Sequence, residues 1–208
     1  MKIKQLTASL ITLAAFLSPS LSFAEDHENW IIRARAVYVK TDVTSTVSTI
    51  GGGISTSTDQ IPELDITRFF SPNVAAELIL GTSKHDIAVK GSSIGAKSLG
   101  SVNLLPPTLT MQYHFNPRGD FRPYAGAGLN YTFFYNAKTS DTATAIRYQD
   151  HLGYALQLGF DYMIDPRFSV NFDVKKIFLK THAVVNNSIS ANVKLDPWLI
   201  GVGMGYRF

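Results

Sequence analysis

The sequence predicts an all-β protein, an eight-stranded antiparallel transmembrane β-barrel with short periplasmic turns and long extracellular loops. Three observations lead to this fold class. Eight segments alternate apolar with small or polar side chains, the connections between them alternate long and short, and the final segment has aromatic residues at both ends of its apolar face. Alternation with period two is typical of strands, and aromatic residues at both ends are typical of strands that cross a bilayer.

The N-terminus has the features of a secretory signal peptide. Lys2 and Lys4 precede the apolar stretch Leu6–Leu17, and Ser22-Phe23-Ala24 forms a small-residue cleavage site. We therefore expect residues 1–24 to be a cleaved signal peptide and residues 25–208 to form a single outer-membrane β-barrel domain. The remaining chain has no apolar run of about 18 residues or more, which excludes a spanning helix.

The composition suits an exported barrel. The chain is 45% hydrophobic and 17% charged, with no cysteine and a formal net charge of +3. The absence of cysteine excludes a disulfide framework and thiol chemistry. Loss of the two signal-peptide lysines leaves the chain nearly neutral, so no nucleic-acid partner is expected.

The predicted strands and connections follow one another along the chain. The strands are Trp30–Val39, Pro62–Phe70, Val74–Gly81, Leu105–Phe115, Phe121–Tyr135, Leu152–Tyr162, Phe168–Lys180 and Pro197–Phe208. The long connections, predicted as polar and glycine-rich loops, are Asp42–Ile61, Lys84–Asn103, Asn136–Asp150 and a segment that runs through Asn192. The short connections contain turn-forming residues, as in Ser71-Pro72-Asn73.

The first strand shows which face lines the lumen. Arg33 and Arg35 alternate with apolar residues on the opposite face. Lipid would penalise each arginine by roughly 2 to 4 kcal/mol at mid-membrane, so their face points inward. The second strand is less regular, with Leu64 and Ile66 outward, and the third directs Glu77 inward.

The fourth to eighth strands alternate more regularly. Leucines and aromatic residues occupy one face, and glycine, amide, hydroxyl and charged residues occupy the other. A soluble lipocalin-like barrel also has eight strands, but it points its apolar face inward. The polar face fits a lumen better here, and the aromatic ends of the strands together with Phe208 favour an apolar face that contacts lipid.

Three motifs resemble a known family. They are Leu104-Leu105-Pro106-Pro107-Thr108-Leu109, the segment Phe121–Thr132, and Leu195-Asp196-Pro197-Trp198 followed by Gly205-Tyr206-Arg207-Phe208. In order and spacing they resemble the OmpW family of small outer-membrane barrels. The resemblance implies an eight-stranded barrel with a hydrophobic lumen pocket, proposed to pass small hydrophobic molecules across the outer membrane.

No motif predicts catalysis or a cofactor. Gly201-x-Gly203 and Gly126-x-Gly128 lack the third glycine and the helix of a nucleotide loop. The histidines have no paired ligand spacing, so no metal site is predicted. His85-Asp86 has no fixed nucleophile beside it, so we expect the protein not to be an enzyme.

Inward-facing charges should fill the periplasmic half of the lumen. They are Arg33, Arg35, Glu77, Arg122, Asp161, Asp173 and Arg207. An eight-stranded barrel is only just wide enough for its side chains, so these charges must form ion pairs and leave no continuous water pore. Arg207 should bind a carboxylate. The only inward-facing carboxylates that we expect for this pairing are those of Glu77, Asp161 and Asp173.

The outer half of the lumen should be an apolar ligand site. Its predicted lining consists of Val37, Val39, Ile79, Phe134, Ile177 and Leu199. Such a pocket above a charged floor would accept small hydrophobic molecules from outside. Pro106 and Pro107 cannot donate ladder hydrogen bonds, so they mark a possible lateral exit into the membrane.

The alternative function is a structural or receptor barrel whose extracellular loops bind phage, toxin or a host surface. The expected partners are outer-membrane lipids and lipopolysaccharide, small hydrophobic molecules and the barrel-assembly machinery. Lys176 and Lys180, near the outer end of one strand, are expected to reach lipid phosphates. Phe208 is the expected assembly signal, and its removal should reduce insertion.

Overall fold

The computed structural model describes residues 29–47, 51–93, 95–140, 146–148, 151–185 and 189–208, and the predicted signal peptide lies outside these ranges. The strands, in chain order, are β1 (Trp30–Lys40), β2 (Thr44–Val47), β3 (Gly53–Thr56), β4 (Asp59–Phe69), β5 (Val74–Gly81), β6 (Ser83–Lys90), β7 (Lys97–Leu105), β8 (Thr108–His114), β9 (Phe121–Thr139), β10 (Ile146–Tyr148), β11 (His151–Met163), β12 (Phe168–Phe178), β13 (Lys180–Val185), β14 (Ile189–Lys194) and β15 (Trp198–Arg207).

Eight of these strands close into an antiparallel ring in the order β1, β4, β5, β8, β9, β11, β12 and β15. The last strand pairs with the first, with Ile31 opposite Arg207 and Lys40 opposite Trp198. The predicted eight-stranded antiparallel barrel is therefore confirmed. We call the end with Trp30, Phe208 and the short turns the lower end, and the other the upper end.

The two faces of the wall follow the predicted parity. Leu158 on β11 is 65% exposed, whereas its neighbour Gln157 is 2% exposed. Leucines and aromatic residues cover the outer surface around the ring, and polar side chains are buried inside it. A soluble protein would bury the apolar set, so this inverted arrangement fits lipid contact.

The four predicted long loops are wrong in large part, because strands extend the wall at the upper end. The segment Asp42–Ile61 contains β2, β3 and the start of β4, and Lys84–Asn103 lies mostly in the β6–β7 hairpin. Asn136–Asp150 includes the end of β9 and β10, and the segment through Asn192 contains the β13–β14 hairpin.

The β6–β7 hairpin shows why these strands were missed. Its inward residues Ile87, Val89 and Val102 form a small buried cluster with period two, hidden among serines, lysines and glycines. Gly91 and Gly95 have φ values of 66° and 78°, which glycine adopts without strain. These glycines therefore belong to the tip of a hairpin and not to an irregular loop.

The upper strands form two sheets around the barrel mouth. The order β9–β7–β6–β3 continues the wall, while β10, β13, β14 and β2 form a separate four-stranded sheet. The Ile54 amide donates to Ser45 Oγ at 2.6 Å, which connects β3 to β2. In the described ranges, no helix is long and apolar enough to cross a membrane.

Candidate functional site: the barrel lumen

Arg33 is the centre of the lower lumen. It is 0% exposed. Its Nε and Nη2 donate to the two carboxylate oxygens of Asp161 on β11, at 3.0 and 2.7 Å. Its Nη1 donates to Thr67 Oγ1 at 2.7 Å and to Asp65 Oδ1 at 3.1 Å on β4. The guanidinium therefore connects β1 to β4 on one side and, across the lumen, to β11.

Arg35 forms a second set of ion pairs, two residues higher on β1. Its Nη2 donates to Glu77 Oε1 at 2.8 Å, and its Nη1 donates to Glu63 Oε1 at 3.0 Å. Lys175 Nζ also donates to Glu63 Oε1 at 2.7 Å, and it lies 3.0 Å from Asp173 Oδ1. Strands from both sides of the barrel thus meet through charged groups.

Neutral polar side chains occupy the space between the charges. Gln112 Nε2 and Gln157 Nε2 each donate to Glu77 Oε2 at 2.7 Å. Gln157 Nε2 and the Tyr124 hydroxyl donate to Asp173 Oδ2 at 2.7 and 2.8 Å. All of these side chains are buried. Because an eight-stranded barrel has little interior space, the network fills the lower cross-section between the described strands.

The predicted floor residues divide into two groups. Arg33, Arg35, Glu77, Asp161 and Asp173 come together in this network. Arg122 lies lower, beside a turn, where its Nε donates to the Gly119 carbonyl at 2.8 Å. The Arg207 guanidinium lies over the ring of Phe69 at 4.6 Å, a cation–π geometry, and its expected pairing with a carboxylate stays a prediction.

The network also contains residues that the sequence reasoning left out. Glu63, Asp65 and Lys175 are buried and ion-paired, so the expectation that only Glu77, Asp161 and Asp173 supply inward carboxylates is wrong. The signal was present in the parity of the second strand. Once Leu64 and Ile66 point outward, the residues between and before them must point inward.

The upper lumen contains an apolar cavity of about 80 Å³. Of the predicted ligand-site residues, Val39, Phe134, Ile177 and Leu199 line it. Val37 and Ile79 are buried inside the barrel but do not line the cavity.

The upper hairpins supply the rest of the cavity lining. Ile54 and Ile87, which the sequence placed in loops, and Val193, which it placed in no strand, contribute apolar side chains. The wall also includes His85 and Ser83, whose polar atoms are bonded: His85 Nδ1 lies 3.0 Å from the Ser57 carbonyl oxygen and Nε2 lies 3.0 Å from Ser83 Oγ. The cavity thus remains mainly apolar.

The wall beside the cavity has an interruption between β5 and β8. The β5–β8 ladder ends at the pair Ile79 and Thr108, and the β6–β7 ladder begins at Ser83 and Leu104. Residues 80–82 and 105–107 lie between these two ladders. Pro106 and Pro107 lie there and have no N–H to donate. We call this interruption the wall gap.

Trp30 and Phe208 complete the lower rim. The Trp30 amide donates to the Phe208 carbonyl at 3.0 Å, and the Phe208 amide donates to the Trp30 carbonyl at 2.9 Å. Phe208 therefore extends the pairing of β15 with β1. Its role as an assembly signal stays a prediction.

Nothing in the described ranges groups three or more histidine, cysteine or acidic side chains in a way that could hold a metal ion.

Comparison with known proteins decides the family. The model of the OmpW family matches residues 27–208. The chain belongs to the OmpW family. Outer membrane protein W of Vibrio cholerae is 31% identical, with 99% of this chain and 100% of the relative covered. The outer-membrane protein y4mB of Sinorhizobium fredii is 47% identical, with 86% and 80% covered.

A solved structure agrees with this assignment. The crystal structure of the outer membrane protein OprG from Pseudomonas aeruginosa superposes with a TM-score of 0.81 at 29% identity, covering 87% of this chain and 96% of that one. The protein is therefore an outer-membrane β-barrel of the OmpW family, with the location that its strands and aromatic residues predicted.

Proposed function

We propose that this OmpW-family barrel takes small hydrophobic molecules from outside into its upper cavity and passes them into or across the outer membrane by lateral release. The apolar cavity above a charged, tightly packed lower lumen is the observation that carries the proposal. The free energy of an apolar molecule is lower in such a cavity than in water, because its apolar surface is removed from water.

The lower lumen supports a lateral route over an axial one. A molecule that moved straight down would have to separate Arg33 and Arg35 from their carboxylates. Breaking a buried ion pair by removing one partner costs about 3–5 kcal/mol, and an apolar molecule offers the charges nothing in return. The axial route is therefore the less favourable one.

The wall gap supplies the lateral route. Pro106 lines the cavity and also lies between the two ladders, so the cavity reaches the wall where backbone pairing is interrupted. A molecule could leave there without breaking a continuous ladder. The Thr82 and Tyr135 hydroxyls, 2.5 Å apart, form a side-chain contact beside the gap.

The cavity is tested by placing a charge in it. Leu199→Asp and Phe134→Asp should reduce uptake of a hydrophobic fluorescent probe into proteoliposomes at least about tenfold. An apolar probe that enters the cavity would displace water from the new carboxylate and offer it no hydrogen bond in return. Thr58→Asp, at an exposed position outside the cavity lining, is the matched control. Heat-modifiable gel mobility shows that each variant is folded. Normal uptake by both cavity variants would contradict the proposal.

The lateral route has its own test, which the absence of cysteine in the chain makes simple. Gly81→Cys and Pro106→Cys place one thiol on each side of the wall gap. Joining them with a bifunctional maleimide should block release of the probe into the bilayer and leave its binding intact. The single-cysteine variants treated with the same reagent are the controls. Equal release with and without the crosslink would exclude this exit.

The receptor alternative makes a different prediction. A barrel that acts through its upper hairpins should bind phage, toxin or a host surface equally well with Leu199→Asp, since that substitution lies inside the lumen. Loss of probe uptake together with intact surface binding would show that the two activities are separate.

A further inference from the structure

A lysine cluster lies on the outer surface of the barrel, just above the upper aromatic residues. It consists of Lys40 on β1, Lys176 on β12, Lys180 on β13 and Lys194 on β14, which we call the lysine sector. Lys40 lies opposite Trp198 in the β1–β15 ladder, and Trp198 lies opposite Lys176 in the β12–β15 ladder. Lys180 lies opposite Lys194. Neighbouring strands bring the four side chains to one side of the wall.

The side chains of the sector point to the membrane interface. Lys40, Lys180 and Lys194 are exposed, on the same face of the wall as the lipid-facing residues. The Lys176 ammonium lies 4.8 Å from the centre of the Trp198 ring and donates to the Asp196 carbonyl at 2.6 Å. Lysines above an interfacial tryptophan lie at the height of lipid headgroups.

The charge of the sector is positive after its acidic neighbours are included. Asp42 and Asp196 are the acidic neighbours that interact with Lys194. Asp196 Oδ2 accepts from Lys194 at 2.9 Å, and its Oδ1 accepts from the Leu179 amide at 3.1 Å. Asp196 offsets part of the repulsion between Lys180 and Lys194, which lie opposite each other, and a bound anion would lower it further.

The sector also has a defined position relative to the wall gap. Around the ring, β15 is separated from the gap by β1, β4 and β5 in one direction and by β12, β11, β9 and β8 in the other. The lysine sector therefore lies on the opposite side of the barrel from the gap. Beside the gap, Lys84 has Asp59 as a neighbour, whose Oδ2 accepts from the Lys84 amide at 2.9 Å.

We propose that the lysine sector binds the phosphate groups of a lipopolysaccharide molecule in the outer leaflet. Clustered cations suit a glycolipid that carries several phosphates on one headgroup, because each lysine offers three donors to phosphate oxygens. Binding there holds the glycolipid on the side away from the wall gap. Lipid molecules beside the wall gap are then not held by these lysines.

The test measures lipid A binding to the purified full barrel in neutral detergent by native mass spectrometry. A variant with Lys40→Gln, Lys176→Gln, Lys180→Gln and Lys194→Gln should bind diphosphorylated lipid A at least about tenfold more weakly than the parent. The matched control replaces the same number of exposed lysines elsewhere on the upper strands, with Lys84→Gln, Lys90→Gln, Lys97→Gln and Lys138→Gln. It should bind within about twofold of the parent.

Three outcomes would overturn the proposal. They are an equal loss in both quadruple variants, equal binding of dephosphorylated lipid A, and equal competition by phosphatidylglycerol. Gel mobility shows whether the quadruple variant folds, and the single variants Lys40→Gln and Lys180→Gln provide the same measurement if it does not. Leu199→Asp should bind lipid A like the parent, so failure of the uptake proposal and failure of this one are distinguishable.

Discussion

The lower and upper halves of the lumen share strands of the barrel wall but contain opposite chemistry. On the inward face of β1, Arg33 and Arg35 belong to the ion-pair network, and Val37 and Val39 belong to the apolar cluster. The change takes place between two residues that are adjacent on that face. One face of a single strand therefore separates a packed, polar floor from an apolar cavity.

The difference shows how a narrow barrel can hold a ligand without forming a pore. Long charged and amide side chains reach across the lower lumen and meet one another there. The shorter aliphatic side chains of the upper lumen do not reach as far, so a cavity remains. Within this narrow barrel, side-chain length and hydrogen-bonding capacity thus help to decide where the lumen is open.

The largest expected effect comes from removing the central cation of the floor. Arg33→Ala leaves Asp161 buried without its arginine and Asp65 with Arg35 alone of the two arginines, which should lower the free energy of unfolding by about 3–5 kcal/mol. Urea unfolding in detergent micelles measures the loss. Arg118→Ala, at an exposed turn position, should change the free energy of unfolding by no more than about 0.5 kcal/mol. Equal effects of the two substitutions would show that the network is not needed for stability.

A smaller effect is expected where the two halves meet, at the glycines of β15. A Cβ at Gly203 would collide with the Ala34 carbonyl oxygen and lie 2.7 Å from Arg35 Cα, both backbone atoms. A Cβ at Gly201 would meet the Val37 Cγ2 at 3.2 Å, a side-chain atom that can move. Gly203→Ala should therefore lower the free energy of unfolding by about 1–3 kcal/mol, and Gly201→Ala by less than about 1 kcal/mol.

The same urea titration compares the two glycine variants directly. A larger loss for Gly201→Ala would mean that the upper lumen is packed as tightly as the lower one.

Much of the wall could be predicted from the sequence, because alternation with period two is a local signal. The parity of β1 and β15 placed Arg33, Arg35 and Leu199 inward, as the structure has them. The upper hairpins gave weaker signals, because serine, glycine and lysine between their apolar residues are typical of loops as well as of exposed strand faces. Their contribution to the cavity was missed for that reason.

The partners within the floor were harder to predict, because they depend on strand tilt and side-chain reach. Parity shows that Glu77 and Asp161 face inward, but not which arginine each one meets. Arg207 also faces the lumen side, yet its guanidinium lies over Phe69. Distances across a barrel are set by the closed ring and not by neighbours in sequence.

The smallest expected effect lies outside the lumen, in the turn between β11 and β12. Asp165 Oδ1 accepts from the backbone amides of Phe168 and Arg167, each at 2.7 Å. These hydrogen bonds, with that of Phe168 the larger cause, hold the pKa of Asp165 below its usual range. The carboxylate should therefore stabilise the folded barrel above the unfolded-state pKa of about 3.9, and this contribution should disappear as the pH falls through the folded-state pKa.

The difference in urea midpoint between the parent and Asp165→Ala should thus be larger at about pH 7 than at about pH 3. Asp120→Ala, in the turn before β9, is the control for a general effect of losing an exposed acidic residue. A midpoint difference for Asp165→Ala that stays the same at both pH values would show that the charge of Asp165 does not stabilise this turn.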